Sequence, residues 1–332
     1  MANSTLSPLL LLLLLLPLHI LVFLYFIVRP RPVKVPIKNR HVFITGGSSG
    51  IGLALAHQAA AEGAKVSMLA RNARKLEEAK HAIRRATGCG AATFSADVRD
   101  YDAVKKAVEE AGPVDVLVCN HGVYMAQELE NQEAEKAKLM IDVNLTGTLH
   151  LIKAALPGMI SRPASRGPGS IAIMSSQAGQ AGIYGYAAYC ASKFGLRGMA
   201  EALQQEVIAH NIHVSLIFPP NTDTPALAED NRRMPQLTNR IADSCGALMK
   251  AEEVAKKTLS GIKCGSFSVA CNLEGFFLSI ATAGFSPQTS FLMAFVEAFM
   301  AGIMRIAALC YQWNWYGIIQ KWHALHAAPN KY

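Results

Sequence analysis

A glycine-rich segment constrains the fold of this chain more than any other feature of its sequence. A short β-prone run at residues 41–44 leads into Thr-Gly-Gly-Ser-Ser-Gly-Ile-Gly at 45–52, and a helix-forming stretch follows at 53–61. Glycines permit a tight turn, and the N-terminus of the next helix offers free N–H groups to a pyrophosphate. Because a bare glycine cluster is often only a loop, the prediction of a dinucleotide site depends on this strand, turn and helix context.

Strand-like and helical stretches alternate through the chain, which predicts an α/β fold with a doubly wound parallel sheet of the Rossmann type. The predicted strands are residues 41–45, 65–70, 91–96, 114–119, 169–175, 212–218 and 266–271. A length of 332 residues fits one such domain together with membrane elements. The predicted organisation is a short N-terminal tail at 1–7, a transmembrane anchor at 8–28, a basic juxtamembrane linker at 29–40, a nucleotide-binding catalytic Rossmann domain at 41–272 and an apolar membrane-associated region at 273–332.

Tyr189, Lys193 and Ser176 form a second constellation. If Tyr189 lies on a helix, Lys193 lies on the same face one turn later, although this spacing alone usually marks a solvated helix face. A phenol titrates near about 10, and a nearby ammonium favours its ionised form. We therefore expect Lys193 to bring the pKa of Tyr189 towards the operating pH of an acid–base catalyst. Ser176 is placed to hold a carbonyl oxygen, with Ser175 as an alternative.

These motifs together resemble the short-chain dehydrogenase/reductase family, and the resemblance extends from about residue 42 to about residue 224. It implies a catalytic set of Ser176, Tyr189, Lys193 and Asn144, in which Asn144 holds a water that connects Lys193 to solvent. Asp97 is expected near the adenine. The implied cofactor-binding residues are Gly46, Ser48, Ser49, Gly50, Ile51, Gly52, Arg71, Lys75, Asp97, Val98, Asn120, Tyr189, Lys193, Pro219, Thr222 and Thr224.

Two positions depart from the family pattern. Cys-Asn-His-Gly at residues 119–122 replaces Asn-Asn-Ala-Gly, and Pro219-Pro220 replaces Pro-Gly. Neither change removes a catalytic side chain. We expect His121 to alter the packing around the cofactor and Pro220 to stiffen the loop near the nicotinamide.

The residue after the second predicted strand indicates the coenzyme. An acidic residue there binds the ribose hydroxyls of NAD, whereas Arg71 favours the 2′-phosphate of NADP. Lys75 supplies a second charge if this stretch is helical. We therefore predict NADPH as the cofactor; the alternative is that Arg71 only begins an exposed basic helix.

The apolar run at residues 8–28 contains no acidic, lysine or arginine side chain and is long enough to span the roughly 30 Å hydrocarbon core as a helix, with Pro17 as a candidate kink. Five basic residues follow it within residues 29–40, and no lysine or arginine precedes it. The positive-inside rule therefore places the catalytic domain in the cytosol. A cleaved signal peptide is the alternative, but a basic start and a clear cleavage site are missing.

Beyond residue 272 the chain becomes apolar again, at 275–284 and 291–310, with Ser-Pro-Gln at 286–288 between these stretches. Glu274 and Glu297 interrupt the two stretches, and four aromatic residues between 313 and 322 are candidate interfacial anchors. We expect a hairpin that dips into the bilayer. Two spanning helices, or an apolar surface that makes a homo-oligomer, are the alternatives.

Composition argues against several other kinds of site. The seven cysteines are odd in number and show no metal-ligand spacing, which predicts reduced thiols and no metal site. Cys190 adjoins Tyr189, but no Cys–His arrangement surrounds it, so we assign it to packing. The net charge of +8 suits anionic lipid headgroups beside the apolar run, and no aromatic-basic nucleic-acid motif occurs.

The family resemblance implies hydride transfer from NADPH to a ketone, with Tyr189 as the proton donor. The anchor, the apolar tail and the segments 175–180, 189–194 and 219–225 are similar to a branch of the family that reduces a long-chain lipid ketone at the cytosolic face of the endoplasmic reticulum membrane. A membrane-bound steroid dehydrogenase or 3-ketoacyl-CoA reductase shares this chemistry. A non-enzymatic nucleotide-binding membrane scaffold is the alternative of a different class.

Overall fold

A computed structural model describes residues 8–28, 33–243 and 248–326 of the chain. The predicted tail at 1–7, Arg29 and Arg31 of the basic linker, and Cys245 lie outside the described residues.

Apolar runs rich in valine and isoleucine form the strands, as expected for a sheet that is buried on both faces. The strands are β1 (His41–Thr45), β2 (Lys65–Ala70), β3 (Ala91–Ser95), β4 (Val116–Cys119), β5 (Gly169–Met174), β6 (Ile212–Phe218), β7 (Thr222–Asp223), β8 (Met249–Lys250) and β9 (Ser268–Ala270). Seven of them form a parallel sheet in the order β3-β2-β1-β4-β5-β6-β9, which confirms the predicted Rossmann-type fold. The separate parallel pair of β7 and β8 was not predicted.

The helices between these strands cover both faces of the sheet. They are α1 (Pro8–Ile27), α2 (Gly50–Ala61), α3 (Ala73–Thr87), α4 (Tyr101–Ala111), α5 (Ala134–Ile141), α6 (Gly147–Ile160), α7 (Ala187–Val207), α8 (Pro225–Asn231), α9 (Gln236–Asp243), α10 (Ala251–Cys264), α11 (Leu273–Ala281) and α12 (Phe291–His326). Apolar residues of α2, α3 and α10 form one core cluster, and those of α4, α6 and α7 form the other.

The two predicted apolar stretches of the C-terminal region form helices α11 and α12, which contact each other, and the dip of this pair into the bilayer stays a prediction. Helix α11 docks on the catalytic domain, where Gln177 donates a hydrogen bond to Asn272 (2.8 Å) and Gln180 donates one to Ser279 (2.9 Å). Helix α12 then runs without interruption for 36 residues, about 54 Å at 1.5 Å per residue. Hydropathy had separated the aromatic residues near 313–322 from the apolar stretch, but these side chains continue the same helix.

Two helices of the described ranges are long and apolar enough to cross a membrane by length and composition, and the part of α1 at Leu15–Ile27 counts as a shorter apolar helix. One of the two, Ala134–Ile160, is the continuous run of α5, the turn at 142–146 and α6, and it is partly buried in the core of the domain. The other is α12, whose most apolar window has a mean hydropathy of 1.8 and no buried residue. The aromatic rings of Tyr25 in α1 and Phe291 in α12 meet edge to face at 5.3 Å, so the two terminal helices contact each other.

Helix α7 holds the junction between α11 and α12. The guanidinium of Arg197 donates hydrogen bonds to the backbone oxygens of Thr282 and Ala283 and to the hydroxyl of Ser286. Glu201 accepts from Arg197 at 3.0 Å and from Ser286 at 2.6 Å. Arg197 thus satisfies carbonyls at the C-terminus of α11, where a cation is favoured by the helix dipole.

Candidate active site

The glycine-rich turn between β1 and α2 has the close backbone packing that only glycine allows. Gly46 and Gly50 have φ angles of +66° and +53°, in the left-handed region. A Cβ atom on Gly52 would lie 2.3 Å from the carbonyl oxygen of Gly46 and 2.5 Å from the side chain of Asn120. These contacts bring the N-terminus of α2 against the turn, as a pyrophosphate-binding cradle requires.

A cavity of about 250 Å³ lies at the carboxyl ends of β1, β4 and β5, beside the point where the strand order reverses. The structure brings together there most of the residues that the sequence singled out. The residues that were predicted from the sequence and that line this cavity are Gly46, Ser49, Gly50, Ile51, Asn120, Ser176, Tyr189, Lys193, Pro219, Thr222 and Thr224. The predicted residues that do not line this cavity are Ser48, Gly52, Arg71, Lys75, Asp97, Val98 and Asn144.

Helix α7 carries Tyr189 and Lys193 one turn apart. The Nζ atom of Lys193 lies 5.6 Å from the centroid of the Tyr189 ring and donates a hydrogen bond to the carbonyl oxygen of Met174 (2.9 Å). The hydroxyl of Ser175 is buried and donates to the carbonyl of Lys193, whereas the hydroxyl of Ser176 interacts with the phenol of Tyr189. Of the two serines, Ser176 is therefore the one placed beside Tyr189.

The pKa of Tyr189 differs from the sequence-based expectation. Burial raises it well above its ordinary value, and the interaction with Ser176 only partly opposes this shift. Desolvation therefore outweighs the lowering that was expected from Lys193. A raised pKa keeps Tyr189 in the neutral phenol form, which is the form that can donate a proton.

Lys193 is a buried cation without a carboxylate partner. Its side chain is 4% exposed, and no carboxylate oxygen of the described residues lies within 4.0 Å of Nζ. Burial lowers the pKa of Lys193 to about 8. A buried charge with a perturbed pKa in a cavity is typical of functional sites.

Asn144 lies in a single π-helical turn, Asp142–Thr146, between α5 and α6. Its side-chain oxygen accepts from the N–H of Val123 (2.8 Å), and its amide nitrogen donates to the carbonyl of Val123 (2.9 Å) and to the hydroxyl of Ser192 (2.9 Å). Such π-turns frequently occur at functional sites. The side chain of Asn144 thus joins the loop after β4 to helix α7, one residue before Lys193.

His121 packs beneath the glycine turn. Its Nδ1 atom lies 2.7 Å from the hydroxyl of Thr45, and its Nε2 atom lies 3.4 Å from that of Thr148. Burial and the nearby charge of Lys193 lower the pKa of His121 to about 3, so the ring is neutral at pH 7. Pro220 follows the buried Pro219, and its carbonyl accepts a hydrogen bond from the hydroxyl of Thr222 (2.8 Å).

The charged residues at the ends of β2 and β3 lie outside the cavity. Arg71 follows β2 directly and is exposed, and Lys75 lies in the first turn of α3. Asp97 follows β3 and forms an ion pair with Arg99 at 2.7 Å, which together with the charge of Arg71 holds the pKa of its carboxyl below the usual range. Arg99 was not singled out by the sequence.

Three further residues near Tyr189 were missed. Tyr124 and Tyr186 both line the cavity, and the phenol of Tyr186 donates a hydrogen bond to the buried carboxylate of Asp230 (2.8 Å). Tyr186 precedes Tyr189 by three residues, so a helical spacing argument was available for it. Tyr124 and Asp230 lie in segments without a recognisable motif.

The six described cysteines are free thiols. Cys190 is buried in α7, and burial raises the pKa of its thiol, which makes it a poor nucleophile. Among the residues that the structure describes, no cluster of three or more histidine, cysteine or acidic side chains has metal-binding geometry.

Comparison with known proteins places this site in a family. The model of the short chain dehydrogenase family matches residues 40–235. The 3-dehydrosphinganine reductase TSC10B of Arabidopsis thaliana is 60% identical over 303 residues, which cover 91% of each chain. The 3-ketodihydrosphingosine reductase of Mus musculus is 35% identical over 91% of this chain and 92% of its own.

A solved structure shares the fold. L-Sorbose reductase from Gluconobacter frateurii, complexed with NADPH and L-sorbose, is 25% identical and superimposes with a TM-score of 0.63 over 73% of this chain and 98% of its own.

Proposed function

Because the chain belongs to the short-chain dehydrogenase family and is an oxidoreductase, we propose that it reduces 3-ketosphinganine to sphinganine with NADPH, a step of sphingolipid biosynthesis. The main support for this proposal is that Ser176, Tyr189 and Lys193 line one cavity beside the glycine-rich turn. The proposed substrate is inferred from two relatives whose names describe reductases of this ketone.

The residues present fit a dinucleotide. The turn leaves no room for a side chain at Gly52, the cavity adjoins the N-terminus of α2, and Asn120 supports the turn through a hydrogen bond to the carbonyl of Thr45 (3.1 Å). The bound cofactor supplies the hydride. Arg71 and Lys75 would hold the 2′-phosphate, and this pair of cations is the reason to propose NADPH.

The chain's own groups would polarise the ketone and supply the proton. Ser176 would donate a hydrogen bond to the carbonyl oxygen, and Tyr189, kept neutral by burial, would protonate that oxygen as negative charge develops. The ammonium of Lys193 would stabilise the resulting tyrosinate. Asn144 would position the loop after β4 and would help to connect Lys193 to solvent, from which the proton lost by Tyr189 is replaced.

We further propose that the terminal helices hold the enzyme at the endoplasmic reticulum membrane, with the catalytic domain in the cytosol. This assignment is supported by the apolar length of α12, its contact with α1, and the basic residues that follow α1. In this arrangement α1 is the anchor, residues 41–272 are the catalytic domain and α12 belongs to the membrane-associated region. A substrate with a long alkyl chain would then reach the cavity from the bilayer.

The test is turnover by the detergent-solubilised full chain. We expect NADPH-dependent formation of sphinganine from 3-ketosphinganine, and a loss of about 10²–10⁴-fold in kcat for Tyr189→Phe because the proton donor is removed. NADPH binding, followed by fluorescence, stays unchanged. Tyr184→Phe is the matched control, since Tyr184 lies on the same segment but does not line the cavity.

Full turnover by Tyr189→Phe would refute the catalytic assignment. A panel with a steroid ketone and a 3-ketoacyl-CoA separates the proposed substrate from those of related membrane-bound reductases. NADPH binding without turnover of any of these ketones would instead favour a nucleotide-binding scaffold.

A further inference from the structure

The aromatic wall of the cavity is a feature that the proposed proton transfer does not use. Tyr124 and Tyr186 line the cavity together with Tyr189, and their ring centroids lie 5.6 and 5.8 Å from that of Tyr189. Three aromatic rings therefore line the cavity in which the reacting carbonyl is proposed to bind. We refer to Tyr124, Tyr186 and Tyr189 as the tyrosine cluster.

Asp230 lies behind this cluster as a buried acid without a cation. It belongs to α8 and is 9% exposed. Its carboxylate accepts hydrogen bonds from the phenol of Tyr186 (2.8 Å) and from the N–H of Ala126 (3.2 Å). Within the described ranges, no lysine or arginine nitrogen lies within 4.0 Å of it.

The negative charge of Asp230 reaches the cavity. It contributes to the raised pKa values of all three members of the tyrosine cluster, and burial raises the pKa of Asp230 itself. A buried carboxylate that only neutral donors satisfy is costly, and a cation nearby offsets that cost. The faces of tyrosine rings also attract cations within about 6 Å.

The substrate of the proposed function carries such a cation. 3-Ketosphinganine is a long-chain 2-amino-1-hydroxy-3-ketone, so its ammonium nitrogen lies about 2.5 Å from the carbonyl carbon by ordinary bond lengths and angles. Tyr186 lines the same cavity as Tyr189, and the two ring centroids are 5.8 Å apart. A ketone bound at the phenol of Tyr189 would therefore bring its ammonium into the cavity that the Tyr186 ring lines, where an aromatic face can attract a cation.

We propose that Asp230, acting through Tyr186, is a specificity-determining residue that recognises a protonated amino group on the carbon next to the ketone. The inference rests on the proposed function and deepens it, since it defines the substrate class as α-amino ketones rather than lipid ketones in general. Asp230 touches neither the ketone nor the cofactor in this account. Its charge is felt through Tyr186 and lowers the free energy of the bound ammonium form.

The experiment compares 3-ketosphinganine with its deamino analogue, a 1-hydroxy-3-ketone of the same chain length. We expect Asp230→Asn, which keeps the shape and a hydrogen-bond acceptor, to lower kcat/KM for the amino ketone about tenfold, mainly by raising KM. The deamino ketone should change less than about twofold. Tyr186→Phe should act in the same direction with about a threefold effect.

Glu229→Gln is the matched control. It removes one negative charge from the neighbouring position of α8, where the carboxylate is exposed and pairs with Arg232 and Arg233. Its kinetic constants should equal those of the wild type for both ketones, because an exposed charge is screened by solvent.

A second measurement needs no variant. Sphinganine and its deamino diol are compared as inhibitors of the wild type, and we expect sphinganine to bind about tenfold more tightly. Equal inhibition by the two compounds would overturn the inference, even where Asp230→Asn fails to fold.

The outcomes separate the inference from the function on which it rests. Equal losses on both ketones in Asp230→Asn would mean that Asp230 only fixes α8 to the Ala126 segment, and would overturn the inference while leaving the reductase intact. Wild type that binds NADPH but does not reduce the amino ketone would overturn both.

Discussion

The two ends of the parallel sheet hold buried charges in opposite ways. At the amino end, the carboxylate of Asp115, 1% exposed, is surrounded by Arg40 (3.5 Å), Arg162 (3.3 Å) and Arg166 (2.6 Å), and the N–H of His41 donates to it at 2.9 Å. At the carboxyl end, the ammonium of Lys193 has only the carbonyl of Met174 as a hydrogen-bond acceptor among the described residues.

This difference separates a centre that stabilises the fold, around Asp115, from an unpaired charge that is free to act in the cavity, that of Lys193. The cations around Asp115 tie the loops before β1, β4 and β5 to one centre. Lys193 carries an uncompensated desolvation cost, which is visible in its lowered pKa. The amino end is therefore expected to govern stability, and the carboxyl end is expected to sacrifice stability for chemistry.

Removing the charge of Asp115 should produce the largest change in stability. Asp115→Asn leaves three arginines without their carboxylate, so we expect the free energy of unfolding to fall by about 3–5 kcal/mol. Denaturant unfolding measures this loss. Glu110→Gln, which removes an exposed partner of Lys106, should change it by less than about 0.5 kcal/mol. Equal effects of the two substitutions would remove the basis of the comparison.

Removing the charge of Lys193 should increase the free energy of unfolding. Lys193→Met keeps an unbranched side chain and removes the buried ammonium, so we expect the unfolding free energy at pH 7 to rise by about 1–3 kcal/mol while turnover is lost. The pKa of Lys193 is depressed in the folded state, so wild-type stability should rise between pH 8 and about 10.5 and the variant should lack that rise. A less stable Lys193→Met protein would contradict the idea of an uncompensated charge.

A buried histidine at the amino end, His41, and a partly exposed one at the cavity, His121, extend the comparison to the pH dependence of stability. The pKa of His121 is lowered to about 3, and that of His41 is lowered to a smaller extent, with Pro113 and Asp115 opposing the shift. A depressed histidine pKa gives stability that is present above the unfolded value of about 6.5 and is lost as pH falls below it. We expect the wild type to lose about 2 kcal/mol more unfolding free energy than His121→Asn between pH 6.5 and 5. The difference between the wild type and His41→Asn should be smaller. Unfolding curves at several pH values give the slopes.

The smallest expected effect concerns the rim of the carboxyl end. Arg71→Glu places an acid beside the proposed 2′-phosphate, so the preference for NADPH over NADH should fall about tenfold or more while stability stays the same. The ratio of kcat/KM for the two coenzymes measures it. Arg74→Glu is the control, because Arg74 lies three residues later, in the first turn of α3, where it pairs with Glu78. An unchanged preference would exclude Arg71 as the selecting residue.

The sequence predicted the fold closely because buried parallel strands are continuous apolar runs between glycine-rich turns. Thus His41–Thr45, Lys65–Ala70 and Ile212–Phe218 have the predicted bounds. The contacts of the tail could not be predicted, since hydropathy reports the apolar length of a helix and not its partners. The bonds that hold α11, such as Gln177 to Asn272, join residues 95 positions apart.

The candidate site shows the same division. A motif located Tyr189 and Lys193, but their electrostatics depend on burial and on groups distant in the sequence. Lys193 was expected to lower the pKa of Tyr189, whereas desolvation dominates and raises it. Asp230 lies 44 positions from Tyr186, so no local pattern indicated their contact.

The hydrogen bonds of Arg197 attach the α11–α12 junction to helix α7, which also carries Tyr189. Tyr189 and Arg197 lie eight residues apart on this helix, which separates them by about 12 Å along its axis. An unbroken helix scarcely changes its length, so the distance between the phenol of Tyr189 and the start of the tail is fixed. In the proposed membrane arrangement, this fixed distance would set how many carbons of an alkyl chain extend between the reacting carbonyl and the bilayer.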